Sequence, residues 1–77
     1  MEKLIFVRHS KPQIQPEVPS NRWSLSAEGR CLCQALAEDL AAFAPDRIFT
    51  STEPKAIETG EILGNRLNVS CTEVAEL

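Results

Sequence analysis

Residues 4–10 of the chain, Leu-Ile-Phe-Val-Arg-His-Ser, decide how it folds. The apolar run from Leu4 to Val7 is rich in β-branched and aromatic residues, which predicts a buried strand. Arg8 and His9 follow where that strand should end, and His9 is the only histidine among the 77 residues. A polar pair in this position can form part of a functional site, although a single histidine at a strand end is more often a hydrogen-bonded structural residue or a surface residue.

The composition is that of one small globular domain. A chain of 77 residues has a small core, and its 43% hydrophobic and 25% charged residues are ordinary values. It contains no apolar run long enough to span a membrane, and its first apolar stretch is too short for a signal peptide, so we expect no membrane partner and a cytoplasmic location. A net charge of −3 argues against nucleic acid as a partner, because binding to the phosphate backbone needs a basic face.

The cysteines do not predict a metal site. Cys31, Cys33 and Cys71 are an odd number, and the spacing of the first two does not fit the common zinc motifs. We therefore expect reduced, buried thiols and neither a metal ion nor another cofactor.

Two helices are predicted to alternate with three strands. After a proline-containing loop over residues 10–25, Ser26 should cap a helix that ends near Phe43. The residues predicted to face the core in this helix are Leu32, Leu36, Leu40 and Phe43, with Cys33 and Ala37 beside them. A second strand over residues 47–51 precedes a helix with Pro54 in its first turn. Its inner face should contain Ala56, Gly60, Leu63 and Leu67, and residues 69–72 form a third strand. This order predicts an α/β fold with a parallel sheet.

Ligands of open parallel sheets bind at the carboxyl ends of the strands. Arg8 and His9 should meet residues 51–55 and the segment after the third strand at this edge. The guanidinium of Arg8, the ammonium of Lys55 and a helix N-terminus suit a phosphate group. A neutral imidazole at His9 can act as a nucleophile toward phosphorus. Taken singly, Lys55 is typical of a solvated helix residue and Thr59 of a packed hydroxyl, whereas Trp23 either borders the pocket or packs over the first helix.

Three segments together resemble the histidine phosphatase superfamily, also called phosphoglycerate mutase-like. They are FVRHS, LSAEGR and TSTEPKAIETGEIL, which are similar to the family's Arg-His-Gly, Leu-Thr-x-x-Gly and Ser-Ser-x-x-x-Arg-Ala-x-x-Thr-Ala. The resemblance implies the three-layer parallel-sheet fold of that family, of which this chain would be an N-terminal βαβαβ part. It also implies that His9 is phosphorylated during catalysis and that Arg8, His9 and Lys55 bind phosphate.

Other positions match or depart from the family's pattern. Leu25, Ser26 and Gly29 match its second motif, and Ala56 and Thr59 match the structural part of the third. Ser10 replaces the commoner glycine or alanine. Lys55 replaces an arginine, which keeps the charge but loses the planar fork, so the resemblance implies weaker phosphate binding unless a neighbour compensates.

The family's general acid is a glutamate in a Leu-x-Glu pattern. Here that pattern would begin at Leu77, so its glutamate would lie two positions beyond residue 77. Glu76 is out of register with the pattern and is therefore a poor substitute. Its second histidine has no counterpart in this sequence. Uncovered sheet edges are a further sign of incompleteness, and they allow self-association. We therefore expect residues 1–77 to be the N-terminal portion of a single histidine phosphatase-like domain, inactive alone.

For the parent protein the resemblance implies a phosphatase that acts on a small phosphorylated substrate through a phosphohistidine at His9. A phosphoglycerate-type mutase and a non-catalytic module that binds phosphorylated ligands remain open.

Overall fold

The structure is a computed structural model that describes residues 3–75. Its elements follow the order β1 (Leu4–Val7), α1 (Ala27–Ala41), β2 (Arg47–Thr50), α2 (Pro54–Leu67) and β3 (Ser70–Glu73). A 3-10 turn, Ser20–Arg22, interrupts the long loop between β1 and α1. The α/β prediction is confirmed, and each predicted strand agrees with the structure to within one residue at either end. No helix within residues 3–75 is long and apolar enough to cross a bilayer.

The three strands form one parallel sheet in the order β1-β2-β3. Alternate residues of a strand point to opposite faces. Ile48 of β2 is fully buried and packs with Ala37 of α1 and Leu63 of α2, so both helices lie on one face of the sheet. Residues 3–75 therefore contain two of the three layers that the resemblance implies.

The opposite face of the sheet is uncovered within the described residues. Phe6 stacks on Phe49 of the neighbouring strand, with ring centroids 5.4 Å apart. Phe6 nevertheless remains 64% exposed, and Leu4 on the same face is also exposed. The strand order also leaves β1 and β3 as the edges of the described sheet.

The core-facing side of α1 differs from the prediction. Leu32 and Phe43 are 50% and 48% exposed, and Leu36 is exposed as well. The buried residues of α1 are Gly29, Cys33 and Ala37, whereas Leu40 is half-buried. These three small residues, spaced four positions apart, form the side of α1 that packs against α2. The leucines instead line an open groove of about 430 Å³ beside β1.

The inner face of α2 agrees with the prediction. Ala56, Gly60 and Leu63 are buried, and Leu67 packs against the core. A Cβ atom at Gly60 would lie 2.4 Å from Cγ2 of Thr50 and 2.6 Å from Sγ of Cys71. The helix therefore rests on β2 and β3 at a distance that only glycine allows. Burial at this contact raises the pKa of the Cys71 thiol.

Replacing Gly60 should destabilise the chain although alanine favours helix formation. Overpacking in a core costs about 1–3 kcal/mol, whereas Gly→Ala in a helix contributes about 1 kcal/mol. We expect Gly60→Ala to lower the free energy of unfolding measured by urea denaturation. Glu61→Ala, at the exposed next position, is the control and should change it little. A Gly60→Ala chain as stable as the unmodified chain would contradict the close contact.

Candidate active site

Arg8, His9 and Lys55 line one cavity at the carboxyl end of the sheet. Its volume is about 360 Å³. The remaining lining residues are Phe6, Val7, Ser20, Asn21, Ser51 and Glu53. The structure thus brings together the three residues predicted to form the site, from the end of β1 and the start of α2. No hydrogen bond or ion pair within residues 3–75 engages the guanidinium of Arg8, which is exposed.

The imidazole of His9 is oriented by the backbone of the next residue, Ser10. Its Nδ1 lies 2.7 Å from the carbonyl oxygen of Ser10. Because a carbonyl oxygen only accepts hydrogen bonds, Nδ1 must carry the proton. In the neutral ring this leaves the lone pair on Nε2. The local geometry therefore leaves Nε2 as the ring nitrogen with a free lone pair.

Both helices hold the residue that follows His9. The amide of Ser10 donates to Oγ1 of Thr59 over 2.9 Å, and the Ser10 hydroxyl donates to the carbonyl of Gly29 over 2.7 Å. Thr59, which is 2% exposed, donates its own hydroxyl to the carbonyl of Lys55 over 2.7 Å. These bonds fix the end of β1 against α1 and α2 and connect the His9 segment to the turn that bears Lys55.

The Leu-Ser-x-x-Gly segment holds the loop after His9 in place. Ser26 caps α1 by accepting from the amide of Gly29 over 3.0 Å. Its amide and hydroxyl both donate to the carbonyl of Lys11, each over 3.0 Å. A Cβ atom at Gly29 would lie 2.1 Å from that carbonyl oxygen. Glycine is thus required here by the close approach of the loop backbone.

Lys55 is a buried cation with three partners. Its side chain is 11% exposed. Its Nζ donates to the carbonyl of Ser20 over 3.2 Å and lies 3.5 Å from Oε1 of Glu53. The ring of Trp23 lies beneath it, with the centroid 5.5 Å from Nζ. Trp23 therefore lies against the start of α2, although it does not itself line the cavity.

Sequence reasoning missed Ser20 as a lining residue. Glu53 lies within residues 51–55, which were predicted to reach this edge of the sheet, although no role was assigned to its carboxylate. Ser20 belongs to an irregular loop, for which periodicity gives no indication. The segment after β3 leaves at the predicted edge, where the amide of Val74 donates to the carbonyl of Thr50 over 2.8 Å. It does not reach the cavity within residues 3–75, and Glu76 and Leu77 lie outside the described residues.

The thiols take no part in the described cavity. Cys33 is buried and Cys71 half-buried, but Cys31 is exposed, so the prediction of three buried thiols is wrong at that position. Within residues 3–75 no three His, Cys, Asp or Glu side chains are grouped so as to hold a metal ion.

Solved structures similar to this one include proteins named as phosphatases or hydrolases. A structure assigned as a phosphohistidine phosphatase, SixA from Agrobacterium tumefaciens, has a TM-score of 0.78 at 20% identity, a likeness that concerns the fold alone. A mycobacterial glucosyl-3-phosphoglycerate phosphatase, in complex with VO3, has a TM-score of 0.78 at 25% identity. A structure described as mycobacterial hydrolase 2 has a TM-score of 0.78 at 27% identity.

These alignments include nearly all of this chain but only part of each relative. The alignment with SixA covers 99% of this chain and 53% of that protein. The alignment with the glucosyl-3-phosphoglycerate phosphatase covers 100% of this chain and 38% of that protein, and the alignment with mycobacterial hydrolase 2 covers 99% and 34%. Comparison with curated protein sequences gives no match. The sequence pattern of the histidine phosphatase superfamily (branch 1), in contrast, matches residues 4–77. On that match the chain belongs to the histidine phosphatase superfamily.

Proposed function

We propose that the protein containing this chain is a phosphatase that forms a phosphohistidine at His9 on a small phosphorylated substrate. The observation that supports this most is the placement of His9. Its ring is held through Nδ1 by the Ser10 carbonyl, which leaves Nε2 as the nucleophile, and it shares one cavity with the cations of Arg8 and Lys55.

The reaction has two steps. Nε2 of His9 attacks phosphorus, a nitrogen–phosphorus bond forms, and the phosphorus–oxygen ester bond breaks as the alcohol leaves with a proton from a general acid. Water then attacks the phosphohistidine and gives a proton back to the conjugate base of that acid, which releases inorganic phosphate and restores the neutral imidazole. In both steps the non-bridging oxygens carry the negative charge, and the cations must hold them while attacking and leaving atoms stay in line.

Arg8 and Lys55 have different parts in this proposal. The Arg8 guanidinium has no partner among the described residues and presents a planar fork to two phosphate oxygens. Lys55 supplies a point charge in the first turn of α2, where the helix dipole adds to it. Glu53 faces Lys55 in the same cavity, so a phosphate group would compete with this carboxylate for the ammonium.

The relatives favour hydrolysis over the alternatives. The mycobacterial enzyme at 25% identity is named as a phosphatase, and its complex contains VO3, an oxyanion of the same kind as phosphate. No observation within residues 3–75 favours a mutase or a module that binds phosphorylated ligands without turnover. Because the chain spans only part of its relatives, the substrate is proposed by class.

The phosphohistidine can be detected directly. The protein is incubated with a phosphorus-32-labelled small phosphomonoester and quenched in alkali, because phosphohistidine is acid-labile. We expect label on the chain that is lost on acid treatment and is absent in His9→Gln. Label retained after His9→Gln would contradict the assignment of His9.

The fate of the label separates the three functions. Release as inorganic phosphate is the result expected for a phosphatase. Transfer to a second hydroxyl would instead indicate a mutase, and phosphomonoester binding without labelling would indicate a binding module. Either of these results would contradict the proposed hydrolysis.

The cations should determine affinity for inorganic phosphate. A hydrogen bond to a charged group contributes about 1.5–3 kcal/mol, or roughly ten- to hundredfold in the dissociation constant. We expect Arg8→Ala and Lys55→Met each to weaken phosphate binding by this factor in an NMR titration. Lys11→Met is the control, because Lys11 is an exposed cation paired with Glu28 and does not line the cavity. An equal loss in all three variants would indicate non-specific attraction.

A further inference from the structure

The loop between β1 and α1 holds Lys55 from outside its own helix. The carbonyl of Ser20 accepts hydrogen bonds from Nζ of Lys55, over 3.2 Å, and from the amide of Trp23, over 3.1 Å. The indole ring of Trp23 lies 5.5 Å from the same Nζ. The Ser20 carbonyl thus connects the Lys55 ammonium to the backbone of Trp23, and the same ammonium contacts the Trp23 ring.

Trp23 is itself fixed by the loop. Its Nε1–H points at two carbonyl oxygens, those of Gln15 at 3.2 Å and Val18 at 3.0 Å. Trp23 is half-buried, and a tryptophan in such a position usually satisfies its N–H in this way. The face presented to Lys55 is therefore oriented by the loop backbone.

Glu53 is the weaker partner of Lys55. Its side chain is 42% exposed, and the pair is 3.5 Å apart. Ion pairs with an exposed partner contribute little, because water and salt screen them. Trp23 and Ser20 are thus the contacts that hold the ammonium.

We propose that Trp23 is a positioning residue for phosphate binding, an inference that rests on the proposed function. Its ring holds the Lys55 ammonium at the wall of the cavity before phosphate arrives. A lysine stem is flexible and ends in a point charge, unlike the preformed fork of arginine. Holding the stem in advance lowers the ordering cost of binding. Trp23 does not line the cavity and acts only through Lys55.

The test is the dissociation constant for inorganic phosphate, measured by NMR titration of the amides of His9 and Ser10. Cation–π contacts of this kind correspond to roughly two- to thirtyfold in affinity. We expect Trp23→Leu to weaken binding about tenfold and Trp23→Phe, which keeps an aromatic face, to weaken it less. In a Lys55→Met background, Trp23→Leu should have no further effect, because the two residues act as a unit.

The chain provides a matched control. The ring of Phe43 lies 5.5 Å from Nζ of Lys3, a contact of the same kind away from the cavity. Phe43→Leu should leave phosphate affinity unchanged. If Trp23→Leu fails to fold, as judged by the dispersion of its amide spectrum, Trp23→Phe with and without Lys55→Met gives the same comparison.

Two results would overturn the role of Trp23. One is unchanged phosphate affinity in Trp23→Leu, and the other is an equal loss with and without Lys55→Met. Trp23-dependent phosphate binding in a protein that never phosphorylates His9 would overturn the phosphatase proposal and support the positioning role. Phosphorylation of His9 together with phosphate binding that does not depend on Trp23 would support the phosphatase proposal and overturn the positioning role. Absence of phosphate binding in the unmodified protein would overturn both proposals.

Discussion

The hydroxyl of Thr59 is the contact on which the site depends most. It accepts from the amide of Ser10 and donates to the carbonyl of Lys55, so a single buried atom connects the end of β1 to the first turn of α2. A hydrogen bond of this type contributes only about 0.5–1.5 kcal/mol net, but an unpaired buried donor costs about 1–3 kcal/mol. The segments that carry His9 and Lys55 are therefore held together by the Thr59 hydroxyl, which faces the protein interior.

Close packing makes this connection possible. Gly29 allows the backbone of Lys11 to touch α1, and Gly60 allows α2 to rest on Thr50 and Cys71. Both glycines bring a helix close to the segments that lead to the cavity. The opposite face of the sheet, with its stacked Phe6 and Phe49, has no comparable cover within residues 3–75.

The fold was predictable because its signals are local. The apolar run before Arg8, the serine that caps α1 and the proline that begins α2 each predict an element from adjacent residues. The side of α1 that faces the core was not predictable in this way: leucine spacing shows that a helix has an apolar side, but not whether small residues will be the ones to pack. The partners of Lys55 were missed because Trp23 and Ser20 lie in a loop whose course depends on hydrogen bonds to its own backbone.

The central claim is that the fold presents His9 with its Nδ1 protonated and its Nε2 free, beside two cations. The most direct measurement is the long-range proton–nitrogen NMR spectrum of His9, the only histidine of the chain, recorded at a pH where the ring is neutral. The account predicts a protonated Nδ1 and an unprotonated Nε2 in the folded chain, with this preference reduced on unfolding. A ring that carries its proton on Nε2 would contradict the account, because Nδ1 would then have no proton to donate to the Ser10 carbonyl and Nε2 would have no free lone pair.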